Sequence, residues 1–232
     1  MSILTDLKDF LMPRHCVCCG NRLSKGERAV CAACWLELPY TGMEDGSSVV
    51  LDQCFWGRFD VERTASMLYY RKGGKVAEWL YAMKYRGHRE ACIQAGRFMG
   101  KTMADSGKWN DIDFIIPVPL HRSRERLRGY NQSELMARGM SQVMGIPVCT
   151  SVLKRSHSGE TQTHRSGYER WRNAEGAFSI SGRTDQLAGK HVLVVDDVLT
   201  TGATLTACCD VLGDIPGIRI SIATLAWAKG QI

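Results

Sequence analysis

The segment VLVVDDVLTTGAT, residues 192–204, concentrates more chemistry than any other stretch of the chain. Branched apolar residues run straight into two adjacent carboxylates, Asp196 and Asp197, and then into a small, hydroxyl-rich turn before the helix-like LTACCDVL. Acids at the carboxyl end of a buried strand sit where open α/β sheets bind ligands. No His or Glu stands near them at metal-ligand spacing, so their chemistry is to accept hydrogen bonds from hydroxyls rather than to cage a metal. Thr200, Thr201, Gly202, Ala203 and Thr204 lead into a helix N-terminus. Backbone N–H groups, hydroxyls and the helix dipole make such a turn a cradle for a phosphate dianion. Carboxylates for a diol beside a cradle for a phosphate describe a ribose 5-phosphate site. Being at a strand end, both acids are expected to contribute little to packing.

A second constellation lies near the N-terminus, in CVCCGNRLSKGERAVCAAC. Cys16 and Cys19 form one C-x-x-C pair and Cys31 and Cys34 another, with eleven residues between the pairs. Each pair can grip one ion from a tight turn, and four thiolates in a tetrahedron form a closed, structural zinc site. Cys18 could replace a neighbour in this register; Cys16 and Cys19 are the expected ligands. A segment of this size with few large apolar residues needs a metal to fold. The remaining cysteines, at 54, 92, 149, 208 and 209, are scattered through apolar stretches and read as small core residues.

These sites need elements to position them. Alternation of strand-like and helix-like segments from residue 113 onward predicts a mainly parallel sheet with helices on both faces. The strands are DFIIPVPL, IPVCTSVLKR, HVLVVDDV and IRISIATLAWA, and the helices GYNQSELMARGMSQVMG, with Asn131 as N-cap, and TLTACCDVLGD. Upstream, KVAEWLYAMKYRG and REACIQAGRFMGKTMADSG are helical, whereas residues 54–73 read as a strand pair. ILTDLKDFL, residues 3–11, reads as a short docked helix, and TGMEDGSS, residues 41–48, as a linker. The division expected is therefore an N-terminal helix and knuckle over 1–45 and an α/β domain over 46–232. GRFMGKT, residues 96–102, mimics a nucleotide-binding phosphate loop but has Ala95 where the first glycine belongs and no preceding buried strand. No apolar run reaches the ~18 residues of a membrane span. The first residues lack a basic and then apolar leader, so the expected location is the cytoplasm.

The net charge of +6 is carried by residues 121–172, where ten Lys and Arg face four Glu and no Asp. A localised basic segment of this kind points to a polyphosphate or a nucleic acid. Its candidates are Arg122, Arg124, Arg126, Arg128, Lys154 and Arg155. Tyr130, Tyr168 and Trp171 are interleaved with them and are candidates either for stacking on bases or for the core.

VLVVDDVLTTGAT resembles the signature of the type I phosphoribosyltransferases, which bind phosphoribosyl pyrophosphate (PRPP) with Mg²⁺. By that resemblance Asp196 and Asp197 hold the ribose 2- and 3-hydroxyls, and residues 200–204 wrap the 5-phosphate. IIPVPLHRSRERLRGYNQSELMAR resembles a pyrophosphate loop, with Pro117, Val118, Pro119 and Leu120 at its strand end; Leu120 and His121 stand where the amidophosphoribosyltransferases have an acid and a serine. The polar stretch 153–178 falls where that family has a hood over the reacting centre. The order knuckle, AMKYRG, PVPLHRSRERLRGYNQ, VVDDVLTTGAT resembles the ComF family of competence-associated proteins. The resemblance implies a phosphoribosyltransferase-like fold, structural zinc, and a part in DNA uptake or the use of external DNA as nutrient. The partners it implies are PRPP or a nucleoside 5-phosphate, single-stranded DNA, and competence proteins. Two alternatives stay open: an enzyme joining PRPP to a salvaged base, and a single-stranded DNA adaptor with a relict PRPP site.

Overall fold

The computed structural model describes residues 13–155, 176–182 and 184–229. The predicted helix at 3–11 and most of the predicted hood, with Tyr168 and Trp171, lie outside the described residues. Among the described residues the strands are β1 (Tyr40–Met43), β2 (Thr64–Tyr69), β3 (Phe114–Pro117), β4 (Leu153–Arg155), β5 (Phe178–Ile180), β6 (His191–Leu199) and β7 (Arg219–Trp227). The helices are α1 (Ala32–Leu36), α2 (Val49–Asp52), α3 (Lys75–Tyr85), α4 (Arg89–Ser106), α5 (Arg122–Arg128), α6 (Gln132–Met144) and α7 (Ala203–Gly213). Five strands form one sheet in the order β1-β2-β7-β6-β3, and β4 pairs with β5 in a separate ribbon. β2, β7, β6 and β3 run parallel, with β1 antiparallel at the edge.

Parallel strands with helices on both faces must be apolar throughout, and β6 and β7 are. Leu193, Val195, Ala223 and Leu225 meet α3, α4 and α6 through Trp79, Met83, Met99 and Met136 on one side. Val192, Val194, Ile220 and Ile222 meet α7 through Leu205, Cys208 and Leu212 on the other. Cys54, Cys92, Cys149, Cys208 and Cys209 are buried, unpaired core residues, as expected from their spacing. The one polar residue in the first half of β6, His191, is satisfied: Nδ1–H donates to Asp111 (2.9 Å) and Nε2 accepts from Ser221 (2.9 Å).

Three segments differ from expectation. IPVCTSVLKR, expected as a strand of the sheet, gives only an isolated bridge from Val148 to Ile115 and the short β4 outside the sheet. Part of the predicted linker is β1, paired with β2 through Tyr40 opposite Leu68 and Met43 opposite Ser66. The predicted first strand at 54–58 is instead a run of turns after α2. Cys54 and Phe55 are both buried, and they pack beneath the loop that follows β6. GRFMGKT lies inside α4, where Gly96 and Gly100 let the helix press against the backbone of α6 at Met136 and Met140. The phosphate-loop mimic is a helix-packing device.

Candidate functional site

The four thiols of Cys16, Cys19, Cys31 and Cys34 lie within 4.8 Å of one another. Gly20, at φ +75°, makes the turn after the first pair and donates its N–H to the Cys16 carbonyl at 2.8 Å. The Cys31 N–H points at Cys16 Sγ (3.3 Å). Burial would raise the Cys16 thiol, but the N–H groups of Cys31, Cys18 and Cys19 outweigh it and lower it to about 7, whereas burial raises the Cys31 and Cys34 thiols. Cys18 is buried outside the quartet, and burial pushes its thiol upward. The register is therefore Cys16 and Cys19, and the donor set fits tetrahedral zinc with no position left for catalysis. The ribbon is fastened to the body: Gln94 Oε1 accepts the N–H groups of Ala29 (2.8 Å) and Val30 (3.0 Å), and Arg28 pairs with Glu90 (3.0 Å).

At the carboxyl end of the sheet the strand pairing collects the other site. Pro117 stands beside Val195, and Val118 donates to the Val195 carbonyl at 2.9 Å, so the Pro117–Leu120 segment leaves the sheet next to Asp196. Asn131 caps α6 by accepting the Ser133 N–H (3.0 Å) and ties it to this segment by donating to the Val118 carbonyl (3.0 Å). Ser133 Oγ then donates to Asp196 Oδ1 at 2.8 Å. Consecutive strand residues face opposite sides. Asp197 turns toward α3, where its Oδ1 meets Lys84 Nζ at 2.9 Å; its side chain is 3% exposed and that of Lys84 23%. The second oxygen, Oδ2, is buried without a hydrogen-bond partner.

The electrostatics follow from this crowding. Burial, then the Asp197 carboxylate, push the Asp196 carboxyl up to about 6, against the pull of Lys84, the Asp197 N–H and Ser133. Burial works against charge on Lys84, yet Asp197 and Asp196 outweigh it and raise its pKa. The expectation that both acids contribute little packing is corrected for Asp197, which is buried and ion-paired. Neither Lys84 nor Arg58 was among the predicted site residues. Lys84 lies in AMKYRG, a segment already noted for its family resemblance.

The loop 200–204 is the turn between β6 and α7. Gly202 has φ +77°, which favours glycine, and a Cβ there would sit a tight 3.3 Å from the Cys54 carbonyl and from the Phe55 ring. Thr200, Thr201 and Thr204 are half-buried around it, and Ala203 opens α7. Arg58 reaches the Thr201 carbonyl (3.4 Å). The first N–H groups of α7 have no partner within their own helix. Of the basic candidates, Arg128 lies over the Tyr85 ring (5.8 Å) and acts on Lys84, while Arg155 feels both Asp196 and Arg124. Arg122, Arg126 and Lys154 are exposed. Tyr130 is core: its hydroxyl donates to the Met83 carbonyl at 2.7 Å.

Comparison with known proteins agrees with both constellations. The phosphoribosyl transferase domain matches residues 131–231, and the double zinc ribbon domain matches residues 7–44. Competence protein F of Haemophilus influenzae is 36% identical over 114 residues, which cover 49% of this chain and 50% of that protein. The DNA utilization protein YhgH of Salmonella typhi is 34% identical over 100 residues, 43% of each chain. Competence protein ComFC of Bacillus subtilis is 25% identical over 195 residues, 82% of this chain and 74% of that one. The chain has homologues named competence protein F, competence protein ComFC and DNA utilization protein YhgH. Its match spans about half the length of the first two relatives or less. The zinc ribbon match supports zinc as the ion of the cysteine quartet. Among the described residues no helix is long and apolar enough to cross a membrane.

Proposed function

We propose that the chain binds PRPP or a nucleoside 5-phosphate at the carboxyl end of β6 and acts in the uptake or nutritional use of DNA. The observation that carries the ligand assignment is the junction of Asp196 and Asp197 with the glycine-pinned turn that opens α7. The half-buried Asp196 receives ribose hydroxyls, while Asp197, turned toward α3 and paired with Lys84, supports it from beneath. Residues 200–204 take the 5-phosphate on hydroxyls and N–H groups, and the 117–120 segment faces the 1-substituent. Mg²⁺ bound to the pyrophosphate of PRPP would supply neutralisation of its charge. Arg155 stands close enough to Asp196 to feel its charge, with Arg124 near Arg155 and Arg128 near Lys84, a cationic surround suited to an anionic ligand. The biological role draws support from the relatives' names, competence protein and DNA utilization protein. Single-stranded DNA and competence proteins are the macromolecular partners that fit this role, in the cytoplasm, with the zinc ribbon docked on the body ahead of the phosphoribosyltransferase domain.

Calorimetric titration of PRPP with Mg²⁺ into the zinc-loaded protein, repeated with Asp196→Asn, tests the ligand. Micromolar binding that disappears in the variant is the expected result. Binding that survives the substitution places the ligand elsewhere, and no binding to the parent protein removes PRPP from the proposal.

A further inference from the structure

The ion pair beneath the proposed ribose site joins residues that lie far apart in sequence, and its partner lysine belongs to none of the signature segments around the acids. Lys84 is on the last turn of α3, and its ammonium reaches 2.9 Å from Asp197 while remaining the more exposed of the two. Two adjacent carboxylates in a half-buried position repel each other and lose hydration, which favours proton uptake by one of them. A hydroxyl-binding carboxylate must be ionised to act as a pure acceptor, since a protonated one has to dispose of its own donor. Something must therefore compensate the second charge.

We infer that Lys84 is a positioning residue of this site: its ammonium fixes the Asp197 carboxylate and keeps Asp196 and Asp197 ionised side by side. The groups facing the pair are consistent with that assignment. α4 contributes Cys92, α6 contributes Ser133, and α7 contributes Cys208, none of them cationic. Arg155 on β4 faces Asp196 without an ion pair to it among the described residues, and Arg128 at the end of α5 acts on Lys84 rather than through a bond to either acid. Lys84 alone among these described groups makes an ion pair with the acids. Ser133 and the Asp197 N–H hold Asp196 in orientation but carry no charge. The consequence for ligand binding rests on the phosphoribosyl assignment above; the charge coupling itself does not.

The test is a carboxyl-carbon NMR titration of Asp196 in ligand-free, zinc-loaded protein, for the parent, Lys84→Met and Lys84→Arg, followed by PRPP·Mg²⁺ calorimetry across pH. Asp196 is expected to titrate near 6 in the parent and in Lys84→Arg, and at least about one unit higher in Lys84→Met, a tenfold change in proton affinity. Ligand affinity then falls about twofold at neutral pH and about tenfold near pH 5 in Lys84→Met, and recovers as pH is raised, which a merely structural role would not produce. An unchanged Asp196 titration in folded Lys84→Met overturns the inference whatever PRPP does. A shifted titration in a protein that never binds PRPP upholds the coupling and removes the ligand assignment instead. Should Lys84→Met not fold, Asp197→Asn is compared with Lys84→Met/Asp197→Asn: Asp196 must titrate higher in the double variant, and equal midpoints overturn the inference.

Discussion

Changing Asp197 to Asn removes the charge opposite Lys84 while keeping the shape of the side chain. Breaking a buried ion pair by deleting one charge costs roughly 3–5 kcal/mol when the other is left fully desolvated. Here Lys84 keeps 23% of its side-chain surface in water, and the Asn oxygen can still accept from Nζ, so the stranded ammonium is partly compensated. Relief of the repulsion between the two acids returns a further part. The expected loss is therefore about 2 kcal/mol, which for a chain of this size lowers Tm by about 4–8 °C. Asp196→Asn differs. Its side chain is only half-buried, the amide oxygen still accepts from Ser133, and removal of a repelled charge offsets what is lost. Its Tm should stay within about 2 °C of the parent, inside the range of surface substitutions. Thermal unfolding followed by circular dichroism at neutral pH measures both. If the two variants melt together, the Lys84–Asp197 pair contributes nothing to the fold, and the separation of the acids into a ligand-facing one and a core-facing one is wrong.

Gly96→Ala puts a Cβ 1.9 Å from the Met136 carbonyl oxygen, a backbone atom that cannot swing aside. Parting α4 from α6 should cost about 3 kcal/mol, the upper end of overpacking penalties, despite the better helix propensity of alanine. Gly100→Ala, where the nearest atom is at 3.0 Å, should cost markedly less; equal midpoints in urea for the two variants would contradict this helix interface. Chelation of zinc removes a folding contribution on the order of 10 kcal/mol from the ribbon. Because Trp35 packs edge-on to Trp79 (5.4 Å) and against Phe98 (5.0 Å), the loss should change the tryptophan near-ultraviolet signal as well as release the ribbon. A spectrum untouched by complete metal removal would show that the quartet is not structural.

What was legible in the sequence followed from local rules. The run from His191 to Leu199 could only be a strand buried on both faces, Asn131 could only be a cap, and the spacing of Cys16, Cys19, Cys31 and Cys34 closed one tetrahedron. What was hidden depended on distant partners. TGM gave no strand signal because its pairing is set by Ser66 and Leu68, on a strand 20 residues or more away in the chain. Cys54 and Phe55 looked like part of a strand pair, yet their burial answers to Gly202, nearly 150 residues on. Gly96 and Gly100 suggested a phosphate loop until the backbone of α6 explained them.

Lys84 shows the same division at the site itself. On an amphipathic helix a lysine beside Tyr81 and Tyr85 reads as surface, and both tyrosines are indeed exposed. Only the closure of the sheet brings α3 over the carboxyl end of β6 and sets that lysine against Asp197. The acids announced themselves because strands rarely end in paired carboxylates; the charge that makes the pair tolerable sat on another element, with no local pattern to mark it. A doubled acid in a buried strand thus implies an unseen cation, and the structure supplies one from AMKYRG, a segment whose composition gave no chemical reason of its own to be near the site.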